Sequence, residues 1–178
     1  YGGSCFPKDT LALIKTAEDA GAPTRIVEAV VKVNDSRKRA MGRKVIDALG
    51  GPDAARGKKV ALLGLTFKPN TDDMRDAPSL DIIPALQALG AKVQAFDPEG
   101  MHEAQRLLSD VDFKTGPYEA LDGADVMVIL TEWDRFRALD LERVKGLLNS
   151  PTIVDLRNVY RPDEMQALGF AYTSIGRP

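Results

Sequence analysis

The chain of 178 residues has one cysteine, one histidine and one tryptophan, and aromatic residues make up 6% of it. A single cysteine excludes an internal disulfide framework and suits a reducing compartment, so a cytoplasmic location is expected. One cysteine and one histidine without metal-ligand spacing argue against a metal centre, and none is expected. Neither sign of charge is in excess. The 24 basic and 26 acidic residues leave a net charge of -2, which gives no long-range attraction to nucleic acid. No apolar run approaches the roughly 18 residues of a membrane-crossing helix, and no signal peptide is visible, so no membrane partner is expected. Internal repeats and low-complexity tracts are lacking.

What is present is enough for a core: 44% hydrophobic residues beside 28% charged ones. Residues 8–20 read as a short helix ended by Gly21, with Pro23 beyond it. A second helix over about residues 24–49 stops at Gly50-Gly51-Pro52. Its apolar residues Ile26, Val30 and Val33, then Met41, Val45 and Leu49, keep helical spacing. At the usual rise it would run for roughly 39 Å, which suits a strut between domains or a contact between two copies of the chain. From Lys58 the pattern changes. Apolar stretches at 60–63, 93–96, 111–114, 126–130, 152–154 and 171–173 alternate with amphipathic stretches at 79–89, 99–108 and 140–148. That alternation predicts an α/β fold, a Rossmann-like doubly wound parallel sheet of order 3-2-1-4-5-6 with helices on both faces. The expected division is a helical segment at 1–52 and an α/β domain at 53–178.

The chemistry concentrates at the start, in Gly2-Gly3-Ser4-Cys5-Phe6-Pro7-Lys8-Asp9-Thr10. Two glycines allow close approach of the backbone to a ligand. Cys5 stands just ahead of the predicted helix with Lys8 nearby, and both features favour the thiolate, which is the nucleophile. A lone cysteine taken without context is more often a small buried hydrophobe, but a Gly-Gly-Ser turn beside proline and lysine is not a core setting. In doubly wound sheets ligands bind beyond the carboxyl ends of the strands. That rule selects Thr66, Phe67, Lys68, Asn70 and Arg75 after the first strand, Thr131, Glu132 and Trp133 after the fourth, and Arg157 and Asn158 after the fifth. Two arginines and a lysine there would make a positive pocket fit for a diphosphate. The competing reading makes them surface charges paired with Asp72, Asp73 and Asp76. Trp133 reads as core, and Arg37-Lys38-Arg39 reads as the solvated face of a helix. His102, which follows the turn-like stretch Asp97-Pro98-Glu99-Gly100, offers Cys5 a base and hence a rival reading as a thiol hydrolase or acyltransferase, though a solvated loop histidine is the commoner role for it.

The motif GGSCFPKDT resembles the catalytic-cysteine motif of the UDP-glucose/GDP-mannose dehydrogenase family. Further motifs agree in order: Val33-Asn34-Asp35-Ser36-Arg37, Gly64-Leu65-Thr66-Phe67-Lys68, Asp73-Met74-Arg75-Asp76-Ala77-Pro78-Ser79, Thr131-Glu132-Trp133 and Val154-Asp155-Leu156-Arg157-Asn158. Phe6-Pro7-Lys8 points to the UDP-glucose branch rather than the GDP-mannose or UDP-N-acetylmannosamine branches. The resemblance implies an NAD-dependent oxidation of UDP-glucose to UDP-glucuronate. In it Cys5 traps the intermediate aldehyde as a thiohemiacetal, a second oxidation gives a thioester, and water releases the carboxylate, with Asp9 acting on that water. It places Lys68 and Arg157 at the nucleotide sugar, with Gly2, Phe6 and Phe67 completing the substrate-binding set. It sends Lys8 and Arg75 towards the cofactor. It implies a homodimer through the long helix. The family's G-x-G-x-x-G fingerprint is not in this sequence, so the chain is expected to be the C-terminal part of a longer enzyme. By itself it would then serve only to bind UDP and dimerise.

Overall fold

Apolar residues at helical spacing open the chain as two helices, α1 (Cys5–Asp19) and α2 (Arg25–Ala48). The computed structural model describes residue 1, residue 3 and residues 5–177. Helix α1 starts at Cys5, three residues before the predicted start at residue 8. Pro7 is the reason. It falls in the first turn, where its missing N–H has no partner to lose. Cys5 is therefore inside the first turn, not ahead of it. Helix α2 ends where Gly50 and Gly51 take φ of +97° and +101°, a region glycine enters without strain.

The two halves of α2 differ. In the first half Ile26 is 82% exposed and Val33 67%, with Val30 also exposed. In the second half Gly42 and Val45 are buried, and Val45 and Leu49 join the core against Ile82, Ile83 and Leu86 of α3 (Ser79–Ala88). The helix thus begins outside the α/β unit and finishes as part of its cover.

The sheet has six strands: β1 (Lys59–Leu63), β2 (Lys92–Phe96), β3 (Val111–Phe113), β4 (Val126–Ile129), β5 (Thr152–Asp155) and β6 (Ala171–Thr173). All pairings are parallel, in the order β3-β2-β1-β4-β5-β6, as the alternation predicts. Val60 lies beside Val93 on one flank and Val126 on the other. Successive side chains serve opposite faces. Val60, Leu62, Val126 and Val128 pack under α2, α3 and α4 (Met101–Leu107). Ala61, Leu63, Met127 and Ile129 pack under α5 (Pro117–Leu121), α6 (Asp134–Arg137), α7 (Leu141–Leu147) and α8 (Pro162–Ala167). Both faces being covered explains the unbroken apolar runs of these strands. No helix among the described residues is long and apolar enough to cross a membrane. Strand order reverses between β1 and β4, and that crevice lies at the carboxyl end of the sheet.

Candidate functional site

Two buried carboxylates organise the loops at the carboxyl ends of the strands. The first is Asp97, directly after β2 and fully buried. Its Oδ2 accepts from the backbone N–H of Leu65 (2.7 Å) and Thr66 (3.2 Å), from Thr66 Oγ1 (3.3 Å) and from Trp133 Nε1 (3.3 Å). Its Oδ1 accepts from the N–H of Glu99 (3.0 Å) and Gly100 (2.7 Å). One side chain therefore ties together the loops after β1, β2 and β4. Thr131 Oγ1 donates to the Thr66 carbonyl at 2.7 Å, and Ser79 Oγ to the Leu65 carbonyl at 2.6 Å. Gly64 lets the two central loops meet. Its φ is +87°, and a Cβ there would lie 2.5 Å from Thr131 Cβ and 2.7 Å from its backbone nitrogen.

The second carboxylate is Asp155, the last residue of β5 and also fully buried. It accepts from the N–H of Arg157 (3.0 Å) and Tyr160 (3.0 Å) and from Tyr172 Oη (2.7 Å). Burial, then the hydrogen bond and charge of Asp155, push the Tyr172 phenol far above its ordinary value, so it remains a donor. Asn158, at φ +56°, exchanges two hydrogen bonds with Ile175. The loop bearing Arg157 is thus set by its own backbone and neighbours.

Of the three cations expected to form a positive pocket, Arg157 lines the recesses at the strand ends while Lys68 and Arg75 line neither, and much of the charge is answered. Arg157 Nε donates to Glu132 Oε2. Burial raises the Glu132 carboxyl, but the Arg157 hydrogen bond, a backbone bond and nearby positive charge outweigh it and hold the group below the ordinary glutamate range. Arg75 donates through Nε and Nη2 to the two oxygens of Asp73, each at 2.9 Å. That bond and the charge of Asp73 raise the Arg75 guanidinium above its ordinary value, with smaller contributions from Cys5 and Asp76. Lys68 is exposed, and among the described residues its ammonium enters no ion pair. The surface-charge reading is right in kind for Arg75. For Arg157 the partner is Glu132, a residue that reading did not include.

A cavity of about 160 Å³ opens beside Arg157. Phe67, Pro78, Leu130 and Leu156 give it an apolar floor, while Asn34, Arg37, Lys38 and Arg157 supply polar walls. A second recess of about 280 Å³ shares Arg37, Leu156 and Arg157 with it and adds Glu132 and Asn158. An apolar floor with a few convergent polar groups is the usual make-up of a small-molecule site.

The cysteine motif reaches this place. Gly3 is buried, and a Cβ on it would lie 2.4 Å from Cζ of the Phe67 ring. The lack of a side chain lets the motif's backbone lie on that ring. Tyr1 lines the cavity and shares a 2.7 Å hydrogen bond with Thr10. Cys5, Lys8 and Asp9 are exposed on α1. Helical spacing puts them on one face, Asp9 one turn from Cys5. Phe6 is 66% exposed, so packing within this chain does not account for it. Gly2 lies outside the described residues.

The structure therefore sets Cys5 within electrostatic reach of Arg75 and brings Phe67 and Arg157 to one cavity, with Asp9 and Lys8 on the cysteine's helix face; Lys68 lines neither recess. Asp97 and Asp155 were given no role in the sequence reading, although Asp97 follows directly on β2 and Asp155 closes β5. Asn34 was visible only as part of a motif and Arg37 was read as a solvated helix face, yet both line the cavity. Trp133, 7% exposed, is core as expected, with its indole committed to Asp97. His102 belongs to α4, not to a loop, and it bonds Glu103 and Arg106 of its own helix.

Comparison with known proteins agrees with this geometry. Residues 61–162 match the UDP binding domain of the UDP-glucose/GDP-mannose dehydrogenase family, and residues 1–36 match its central domain. The chain is 60% identical over all 178 residues to a UDP-glucose 6-dehydrogenase of Rhizobium meliloti (strain 1021), of which it covers 40%. It is 45% identical, over its whole length, to one of Bacillus subtilis (strain 168), of which it covers 38%. Among solved structures, a UDP-glucose dehydrogenase from Pyrobaculum islandicum superimposes with a TM-score of 0.78 at 33% identity, over 98% of this chain and 37% of that one. An NDP-N-acetyl-D-galactosaminuronic acid dehydrogenase from Methanosarcina mazei Go1 superimposes with a TM-score of 0.84 at 30% identity, over 99% of this chain and 38% of that one. With its sheet order, its cysteine motif beside the strand-end cavity and these matches taken together, the chain belongs to the UDP-glucose/GDP-mannose dehydrogenase family.

Proposed function

We propose that this chain provides the nucleophilic cysteine and the nucleotide-sugar pocket of an NAD-dependent UDP-glucose 6-dehydrogenase, acting in the four-electron oxidation of UDP-glucose to UDP-glucuronate. The observation that carries the reading is the seating of the cysteine motif on the Phe67 ring at the cavity, with Cys5 and Asp9 one turn apart on α1. The 60% identity to a UDP-glucose 6-dehydrogenase favours glucose over mannose or N-acetylmannosamine as the sugar. The single cysteine fits a reducing cytoplasm.

Lys68 and Arg157 hold the diphosphate, and Phe67 and Phe6 offer apolar surface to the rest of the ligand. The Cys5 sulfur adds to the C6 aldehyde carbon, forming a C–S bond while the carbonyl oxygen takes a proton. The thiohemiacetal carbon keeps a hydride that a bare aldehyde does not readily give. At the thioester stage water adds to the same carbon, the C–S bond breaks, and the sulfur regains its proton. Covalent attachment divides one difficult oxidation and retains the aldehyde. Asp9 orients that water or accepts its proton. The cofactor NAD supplies hydride acceptance, twice per sugar, when bound. Lys8 and Arg75 fit such an anionic cofactor, because they place positive charge beside Cys5 on exposed surface.

Residues 1–52 form the end of a helical central segment and residues 53–178 the UDP-sugar domain, against which the second half of α2 packs. The exposed stripe of Ile26, Val30 and Val33 pairs with its counterpart in a two-fold homodimer. Val30→Glu should bury a charge at that contact, and sedimentation should then give a monomer where the parent is a dimer. An unchanged dimer would end the assignment of this face. For the chemistry, Cys5→Ser in an enzyme spanning the family's full length should abolish net UDP-glucuronate formation. Near-normal turnover would end the covalent route.

A further inference from the structure

Helix α2 turns one face to the strand-end cavity. Asn34, Arg37, Lys38 and Met41 follow the spacing i, i+3, i+4, i+7, and all four line it. Three cations meet there, and their partners distinguish them. Arg157 is engaged by Glu132 through its Nε, each side chain 31% exposed. Lys38 has Asp81 at 3.6 Å and is only 19% exposed. Arg37 has no counterion among the described residues, yet it borders both the inner cavity and the outer recess. An anion entering the cavity disrupts an existing ion pair if it bonds Lys38 or competes for Arg157 Nε. At Arg37 it gives up only water. A guanidinium also matches phosphate oxygens with two parallel donors, which an ammonium cannot do.

We propose that Arg37 is an anion-binding residue of this cavity, taking a phosphate-type group of the ligand from the side opposite the β5 loop. This inference rests on the reading that the cavity takes a nucleoside diphosphate. It gives the long helix a direct bond to the ligand, in place of the solvated face that Arg37-Lys38-Arg39 suggests in sequence.

The test is calorimetric titration of the 178-residue chain and its variants with UDP and, separately, with uridine, which lacks the phosphates. Arg37→Gln should weaken UDP about tenfold, the scale of one hydrogen bond to a charged group, and leave uridine unchanged. Arg37→Lys should recover part of the loss. Lys38→Gln should leave UDP affinity within about twofold, because its pair with Asp81 already answers its charge. Equal UDP affinity for Arg37→Gln and the parent would overturn the inference while leaving the proposed function intact. So would a loss shared equally by uridine, which would mark a structural effect. A parent chain that takes up neither compound would overturn the proposed function, and the inference with it. Arg37 is exposed, and comparing urea midpoints of the variants with the parent separates lost binding from lost folding.

Discussion

Replacing Asp97 with asparagine keeps the shape of the side chain and changes only its hydrogen-bonding character. Six donors converge on the carboxylate, four on Oδ2 and two on Oδ1. An amide offers one acceptor oxygen and turns two donors towards the other group. The least costly placement puts the oxygen where Oδ2 was and the NH2 against the N–H groups of Glu99 and Gly100. Two bonds to a charged acceptor are then lost, at about 1.5–3 kcal/mol each, or about 3–6 kcal/mol in all. Domains of this size unfold at about 5–15 kcal/mol, so the variant should be close to the edge of stability. Trp133 makes the assay direct. It is the only tryptophan, and its indole donates to Asp97. Urea unfolding followed by its emission should show a much lower midpoint in the variant, with an unchanged slope. A loss under about 1 kcal/mol would refute the view that this carboxylate holds the three loops together.

Two other outcomes follow from the site. Lys68→Ala should weaken UDP binding by about 1.5–3 kcal/mol, the scale of a bond to a charged group, and unchanged calorimetry would make Lys68 a surface charge only. The Glu132 carboxyl is held below its ordinary value of 4.5, so the folded protein binds that proton more weakly than the unfolded chain. The stability it lends is present above pH 4.5 and fades as pH falls through the lowered value. Glu132→Gln should therefore cost up to about 1 kcal/mol at pH 7, as expected for a part-exposed pair, and less at pH 3. An equal loss at both would show that the Arg157 pair is not its source.

Strands were legible because burial on both faces leaves them unbroken apolar runs, as in β4 with Val126-Met127-Val128-Ile129. The long helix was legible because its apolar spacing persists for many turns. Helices α5, α6 and α8 were not, since pieces of five, four and six residues contain too few periods to register. Local pairings were within reach: Asp73 is two residues from Arg75. Glu132 and Arg157 are 25 residues apart and meet only when the loops after β4 and β5 lie side by side. Asp97 gathers donors 31 and 36 residues away, and only the strand order brings them together. The site residues that the motif supplied were visible as a list. Their charge balance was not, because that depends on neighbours across the sheet.

Helix α2 is also a lever. Its buried end is clamped from Gly42 onward, where a Cβ added to the glycine would lie 4.0 Å from Ile82 Cγ1, so this point can act as a fulcrum. Counted at the usual helical rise, Arg37 stands about 7.5 Å from that point and Val30 about 18 Å. A tilt of about 10° would carry Val30 roughly 3 Å but Arg37 little more than about 1 Å. Whatever grips the protruding arm therefore sets the wall of the cavity through reduction gearing. Large displacements outside become fine adjustments within, and a ligand drawn tight against Arg37 swings the far end by more than twice as much.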